Sequence, residues 1–239
     1  MSADEHERVA TACRILASEG LVEDILGHIS LRVDERTMLI RGRGPYERGL
    51  MFTTAEDVRQ VGLDGAGEPP DSGYALPNEL PIHGALLAAR PGVNAVVHAH
   101  PRSVLLAGLA GLALRPVYGA YDMVAMRLAL AGVPVYPRSV LIRTPELAAE
   151  MLAAMGPADV CVLRGHGVTV AGASLEQAVV RAVSLHRLAE VTVQLAQLGA
   201  TPEAVSAEDL AELPDLGSGF NDATMWRHLT AKLAVAEGR

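Results

Sequence analysis

The chain has 239 residues, of which 50% are hydrophobic and 20% charged, a composition typical of a globular protein with one large domain. Its net charge of -8 and the lack of any run of lysine or arginine argue against nucleic acid as a partner, because phosphate binding requires clustered cations. The N-terminus has no apolar signal core, and the longest apolar stretch, residues 104–114, contains two glycines. We therefore expect a cytoplasmic protein without a membrane segment.

The sequence pattern of the first half of the chain predicts one helix followed by several strands. Residues 7–18 carry apolar side chains at helical spacing, which predicts an amphipathic helix. Apolar and polar residues alternate over residues 27–33, which predicts a strand with one polar face. Short strands are predicted over 38–40 and 61–65, a loop with three arginines over 41–49, and a Pro-rich surface loop over 68–73.

The sequence of the second half predicts four helices after the one at Glu79, together with three more strands. Asn78 is predicted to cap a helix that begins at Glu79, so that Glu79 and His83 share one face. Strands are predicted over 93–100, 160–163 and 168–170, and helices over 121–130, 145–156, the 20-odd residues after Ser174, and 221–235. His186, in the long helix, is expected to face solvent. Residues 200–239 are expected to form a C-terminal extension, near the active site, of a single domain that spans residues 1–239.

The composition also bears on the core and on the redox state. Cys13 and Cys161 lie among apolar neighbours, which suits buried free thiols better than a disulfide. Aromatic residues make up only 3% of the chain, so the core must consist largely of Ala, Val and Leu. Small residues of this kind favour helices packed closely on a sheet, and we expect a layered α/β fold.

His98 and His100, two residues apart in an apolar run, are the most informative pair. Side chains at i and i+2 of a strand point to the same face, so the two imidazoles would lie side by side. A third imidazole is available from His166 in a glycine-flanked turn, and Glu79 is the candidate fourth ligand. This set suits one divalent cation, with zinc preferred over manganese, cobalt or iron. The alternative is that His98 and His100 are ordinary polar residues at a strand end.

These features resemble, in the same order along the chain, the class II aldolase/adducin family, which includes sugar-phosphate aldolases. The resemblance covers residues 7–198, and the segments that carry it are Gly27-x-x-Ser30-x-Arg32, Glu79 with its helix to His83, residues 90–100 and Gly165-His166-Gly167. It implies a single three-layer α/β/α domain around a largely antiparallel sheet. It also implies a homotetramer with active sites between subunits, a metal held by His98, His100 and His166, and Glu79 as a ligand or general base.

Departures from the sugar-phosphate aldolases bear on the substrate. Those enzymes hold phosphate with an Asn, a Thr-Pro-Ser-Gly turn and a serine pair, and this chain has other residues in all three places, including His28 instead of the Asn. Arginine forks bind planar carboxylates bidentately, so Arg41, Arg43 or Arg48 suits a substrate that bears a carboxylate. The alternative is that these arginines only solvate a loop.

Other residues complete the set of candidates. Tyr118 and Tyr121 lie near the place where the aldolases position a tyrosine proton donor from the adjacent subunit; the alternative is interface packing. His83 is expected to orient Glu79 or to lie in a polar pocket. The remaining candidate substrate contacts are His28 and Ser30 on the polar strand face and His228 on the last helix.

The missing phosphate ligands and the added arginines favour a decarboxylase. A divalent cation stabilises the enolate left when a neighbouring bond breaks, whether an aldehyde or carbon dioxide departs. The chain is similar to the decarboxylase branch of the family, which acts on hydroxylated aromatic dicarboxylates such as 3,4-dihydroxyphthalate or on related enol acids. One alternative is a metal-dependent aldolase for a non-phosphorylated hydroxy-keto acid or sugar-derived substrate. Another is an adducin-like binding module, which the retained histidines disfavour.

Overall fold

The structure is a computed structural model that describes residues 3–67 and 72–238; the first four residues of the predicted loop over 68–73 lie outside this part. The strands of the described residues are β1 (His28–Arg32), β2 (Thr37–Arg41), β3 (Val58–Gly62), β4 (Ala95–Ala99), β5 (Val135–Tyr136), β6 (Val160–Leu163) and β7 (Gly167–Gly172). The helices are α1 (Ala3–Ser18), α2 (Leu80–Ala89), α3 (Arg102–Ala110), α4 (Met123–Ala131), α5 (Pro145–Met155), α6 (Leu175–Gln197), α7 (Ala207–Glu212), α8 (Gly217–Asn221) and α9 (Ala223–Ala236).

The described strands form one seven-stranded sheet in the order β3-β2-β1-β4-β7-β6-β5. Neighbouring strands are antiparallel except for the parallel pair β5 and β6. One core cluster lies between one face of the sheet and the helices α1, α3, α4, α6 and α9, and a second lies between the other face and α2 and α5. The predicted three-layer α/β/α domain with a largely antiparallel sheet is confirmed.

Strand register brings polar residues of four strands into one row. His28 pairs with His98, His98 with Thr169, and Thr169 with Cys161. Paired residues of adjacent strands point to the same face of a sheet, and Cys161 belongs to the core under α2 and α5. The histidines of this row therefore face α2 and α5.

Most predicted helices and strands occur, with shifted ends. Ser174 caps α6, since its side chain accepts a hydrogen bond from the backbone of Gln177, and Thr144 caps α5 in the same way. Strand β3 covers residues 58–62 rather than 61–65, and the predicted C-terminal extension contains two short helices before α9. Both cysteines are buried free thiols, as predicted. Among the described helices, none combines the length and the apolar character needed to cross a membrane.

Two local predictions are wrong. Asn78 does not cap α2, because Glu79 itself occupies the N-cap position and turns its carboxylate away from the helix amide groups. His186 does not face solvent, because α6 packs against α3 and the residue is only 9% exposed. There, its Nδ1 lies 2.7 Å from the hydroxyl oxygen of Ser103.

Candidate metal centre

Four side chains from three parts of the chain converge on one point. The candidate ligand atoms of Glu79, His98, His100 and His166 all lie within 4.8 Å of one another. The Nε2 atoms of His98 and His100 are 2.9 Å apart, and Oε2 of Glu79 lies 3.2 Å from Nε2 of His98 and 3.3 Å from Nε2 of His166. The predicted ligand set is thus brought together in space.

The end of β4 and the turn between β6 and β7 position the three imidazoles. His98 is fully buried in β4, and His100 follows it on the same face. The turn that carries His166 depends on its glycines. Gly165 has a φ of +66°, and a Cβ at Gly167 would lie 2.3 Å from the carbonyl oxygen of Ala99. The close approach of this turn to β4 brings His166 to the other two rings.

Glu79 is held in place by a backbone group that the sequence analysis did not identify. The N–H of Ile142 donates a 2.9 Å hydrogen bond to Oε1, which leaves Oε2 for the histidines. Burial opposes ionisation of this carboxyl, but the adjacent imidazoles of His166 and His98 outweigh it and hold the pKa of Glu79 well below its usual range. The group is therefore an anion fixed at the centre of the cluster.

The donor set fits one divalent cation. Burial lowers the pKa of His98, and burial together with the neighbouring rings lowers the pKa of His100 to about 3. Both rings are thus neutral near pH 7, and the neutral imidazole is the form that offers a lone pair to a metal. Three imidazole nitrogens and one carboxylate oxygen match the preferences of zinc and of other borderline divalent ions.

Next to this cluster lies a chain of hydrogen bonds that the sequence analysis did not foresee. His83 is fully buried and bonds through Nε2 to Nδ1 of His28 at 2.6 Å and through Nδ1 to the Ser30 hydroxyl at 2.7 Å. It therefore contacts β1 and has no hydrogen bond to Glu79 within the described part of the chain. The ring of His28 stacks on that of His98 with centroids 4.9 Å apart. The alternation of polar residues in β1 was the available signal.

The three candidate arginines have different environments. Arg41 lies on the opposite face of the sheet from the histidines, facing α1, where it is buried and forms an ion pair with Glu47. It does not join the cluster because it follows the α1-facing Leu39 by two residues. Arg43 is half-buried and has no ion pair among the described residues, and Arg48 is exposed over the ring of Phe52.

The remaining candidates do not approach the cluster within one chain. Tyr118 and Tyr121 contact each other edge to face at 5.3 Å, and Tyr118 packs against the core on the α1 and α6 side. Burial raises the pKa of Tyr118 above its usual value. His228 is exposed on α9, which packs against α1 and α6. These three side chains therefore lie on the far side of the sheet from the histidines of the same subunit.

The chain belongs to the class II aldolase and adducin family. The family model described as Class II Aldolase and Adducin N-terminal domain matches residues 7–193, close to the extent expected from the sequence. In overall structure the chain is similar to an aldolase II superfamily protein from Pseudomonas syringae, with a TM-score of 0.81 and 22% identity, covering 98% of this chain and 93% of that one. This likeness bears on the fold alone.

Several relatives match nearly the whole chain, and two of them illustrate this. The 3,4-dihydroxyphthalate decarboxylase of Arthrobacter keyseri is 53% identical over 237 residues, which cover 98% of this chain and 96% of the relative. The enzyme of the same name from Rhodococcus jostii is 45% identical and covers 95% of each chain. The resemblance to the decarboxylase branch that was expected from the sequence is confirmed.

Proposed function

We propose that this chain is a divalent-metal-dependent carboxy-lyase that decarboxylates 3,4-dihydroxyphthalate in the catabolism of aromatic compounds. The observation that carries the proposal is the 53% identity, over almost the full length, to a decarboxylase of that substrate. The convergence of three imidazoles and a buried carboxylate supports a metal-dependent reaction. We propose zinc as the cation, with manganese, cobalt and iron as alternatives to be compared.

The chemistry of the substrate suits such a site. In 3,4-dihydroxyphthalate, one carboxylate is adjacent to the 3-hydroxyl, so that two oxygen donors lie side by side. A divalent cation held by the four side chains would supply a Lewis acid that stabilises the electron pair released when the bond to this carboxylate breaks. The ring carbon must then take up a proton, and the product is 3,4-dihydroxybenzoate.

The residues of the chain divide the remaining tasks. His98, His100, His166 and Glu79 hold the cation, and the hydrogen bond from Ile142 keeps the Glu79 carboxylate in position. Arg43, which lacks an ion-pair partner among the described residues, binds the carboxylate that is retained. Arg41 is not part of this proposal, because it is neutralised by Glu47 on the other face.

The proton donor comes from outside the cluster of one chain. We assign it to Tyr118 or Tyr121 of a neighbouring subunit, in a homotetramer whose active sites lie between subunits. This assignment reconciles the proposed role of the tyrosines with their position on the far side of the sheet. His228 would approach the site across the same boundary, since α9 packs on that side.

The direct test supplies 3,4-dihydroxyphthalate to the purified protein after metal removal and reloading with Zn²⁺, Mn²⁺, Co²⁺ or Fe²⁺. Evolution of carbon dioxide with an equal amount of 3,4-dihydroxybenzoate is the expected result with at least one ion, and none is expected after chelation. If no ion supports gas release, the proposal is wrong. Release of an aldehyde or of pyruvate from a non-phosphorylated hydroxy-keto acid would instead identify an aldolase.

A further inference from the structure

A buried chain of hydrogen bonds runs from Ser30 through His83 to His28, beside the candidate metal centre. Ser30 and His83 are fully buried, and His28 is 3% exposed. His28 and Ser30 lie on the same face of β1, two residues apart, and His83 reaches both from α2. Because both ring nitrogens of His83 are engaged, its ring cannot flip without breaking two bonds.

The positions of the protons in this chain follow from counting donors and acceptors. A neutral imidazole has one N–H and one bare nitrogen, so two patterns are available. In the first, the Ser30 hydroxyl donates to Nδ1 of His83, whose Nε2–H donates to Nδ1 of His28. In the second, the Nδ1–H of His28 donates to Nε2 of His83, and the Nδ1–H of His83 donates to the oxygen of Ser30.

Ser30 distinguishes the two patterns. In the second pattern its own hydroxyl hydrogen needs another acceptor, and within the described residues Ser30 has no hydrogen-bond partner except His83. The hydroxyl is fully buried, between neighbours on β2 and β4 that are Ile40 and Val96. A fully buried donor without an acceptor is costly. The first pattern satisfies Ser30 and both nitrogens of His83, and it leaves only the Nε2–H of His28 without a partner, at an atom that is not among the fully buried unpaired ones.

We infer that Ser30 and His83 fix His28 as the tautomer that carries its proton on Nε2, and that His28 presents this N–H to an anionic oxygen of the substrate. His83 is then a positioning residue for His28. The inference does not depend on the charge of His83. A doubly protonated His83 would also donate to Nδ1 of His28, and the proton of His28 would again be on Nε2.

The role toward substrate rests on the proposed function. His28 stacks on the candidate ligand His98, and its Nε2 has no hydrogen-bond partner within the described part of the chain. An N–H at this place would complement a carboxylate or phenolate oxygen of a substrate bound beside the candidate metal centre. His28 therefore adds a neutral donor to the cationic arginine for recognition of a hydroxylated dicarboxylate. Ser30, whose hydroxyl is occupied by His83, does not itself contact substrate.

The tautomers are tested by NMR of the zinc-loaded protein with ¹⁵N-labelled histidine. Two-bond and three-bond couplings within each ring identify the protonated nitrogen, and His28→Gln and His83→Gln assign the signals. We expect His28 to have a proton on Nε2 and a bare Nδ1. A proton on Nδ1 of His28 with a bare Nε2 would overturn the inference. In Ser30→Ala, which removes the terminal donor, we expect the second tautomer of His28 to become populated.

A matched serine provides the control for this experiment. The Ser103 hydroxyl also lies 2.7 Å from Nδ1 of a buried histidine, His186, but on the α3 and α6 side of the sheet. Ser103→Ala should leave the signals of His28 and the KM for substrate unchanged. If Ser30→Ala also leaves the His28 tautomer unchanged, Ser30 does not control it and the inference fails.

The contribution to substrate binding is tested by two replacements of His28. Gln offers an amide N–H near the position of Nε2, whereas Leu offers no donor. We expect His28→Leu to raise KM about tenfold, as the loss of a hydrogen bond to a charged group does, and His28→Gln to raise it less, with bound metal unchanged in both. Equal KM values for the two variants would contradict the role toward substrate. Because the NMR result needs no substrate, it stands even if 3,4-dihydroxyphthalate is not decarboxylated.

Discussion

The backbone N–H of Ile142 and the side chain of Glu79 form a 2.9 Å hydrogen bond that fixes one carboxylate oxygen and directs the other to the histidines. This bond crosses from the loop before α5 to the start of α2. It means that the carboxylate does not need to be oriented by the cation. Glu79 is thus preorganised for its proposed role as a metal ligand.

Glu79→Gln should separate charge from geometry at this point. The amide oxygen can keep the bond from Ile142, but the negative charge beside the imidazoles is lost. We expect affinity for the cation to fall by more than about 100-fold, because loss of a group that only orients a metal ligand already costs about 10- to 100-fold. Isothermal titration with Zn²⁺ measures the effect, and Glu212→Gln on the exposed end of α7 is the control. Wild-type affinity in Glu79→Gln would show that Glu79 is not a ligand.

His98→Ala should abolish both the bound cation and turnover, because it removes a fully buried imidazole that we propose as a metal ligand. Metal content by plasma mass spectrometry and release of carbon dioxide are the two measurements. His6→Ala in α1, remote in sequence from the cluster, should retain both. Turnover in His98→Ala equal to that of the wild type would refute the metal-dependent mechanism.

Arg43→Ala should mainly weaken the affinity for substrate, whereas Arg41→Ala should mainly lower the stability of the fold. Loss of Arg43 should raise KM about tenfold or more with little change in the melting temperature, since it removes the proposed charged contact to substrate. Loss of Arg41 leaves the carboxylate of Glu47 unpaired near a buried face and should lower the free energy of unfolding by about 3 kcal/mol. Steady-state kinetics and urea unfolding distinguish the two. A KM effect confined to Arg41→Ala would reverse the assignment.

Gly84→Ala should destabilise the helix that carries His83. A Cβ at this position would lie 1.9 Å from the backbone carbonyl oxygen of Leu63, so either α2 or the strand end must shift. We expect a loss of at least about 1–3 kcal/mol, the usual cost of overpacking, measured by urea unfolding. Gly92→Ala is the matched control, because its Cβ would meet no atom of the described residues within 4 Å. Similar stability of the two variants would contradict the close packing of α2.

The buried thiols should make the protein sensitive to alkali. Burial raises the pKa of Cys13 to about 12 and that of Cys161 to about 11, against 9 for an ordinary thiol. Above pH 9 the unfolded chain therefore loses protons that the folded chain keeps, and stability falls as pH rises toward the folded pKa values. In Cys13→Ala the decline between about pH 9.5 and 11 should be shallower by about 1.4 kcal/mol per pH unit. Urea midpoints measured across this range provide the test, and equal slopes would contradict it.

Much of the fold followed from local patterns. The alternation in β1, the serine and threonine caps of α6 and α5, and the spacing of apolar residues are local properties, so they predicted these elements well. The cap of α2 was mispredicted because the carboxylate of Glu79 and the backbone of Ile142, 63 residues apart, bond to each other instead. His186 was misplaced because α3 covers its face of α6.

For this protein, the sequence by itself determined the family and the layered fold through its resemblance to known proteins. It also determined the four residues that converge on one centre, because spacing along a strand and glycines in a turn leave few arrangements for the histidines. Only the tertiary structure decided the rest. It assigned His83 to His28 and Ser30, placed Arg41 on the opposite face and supplied the N–H of Ile142. These relationships depend on which segments meet across the sheet, and contacts between distant segments leave no periodic trace in one sequence.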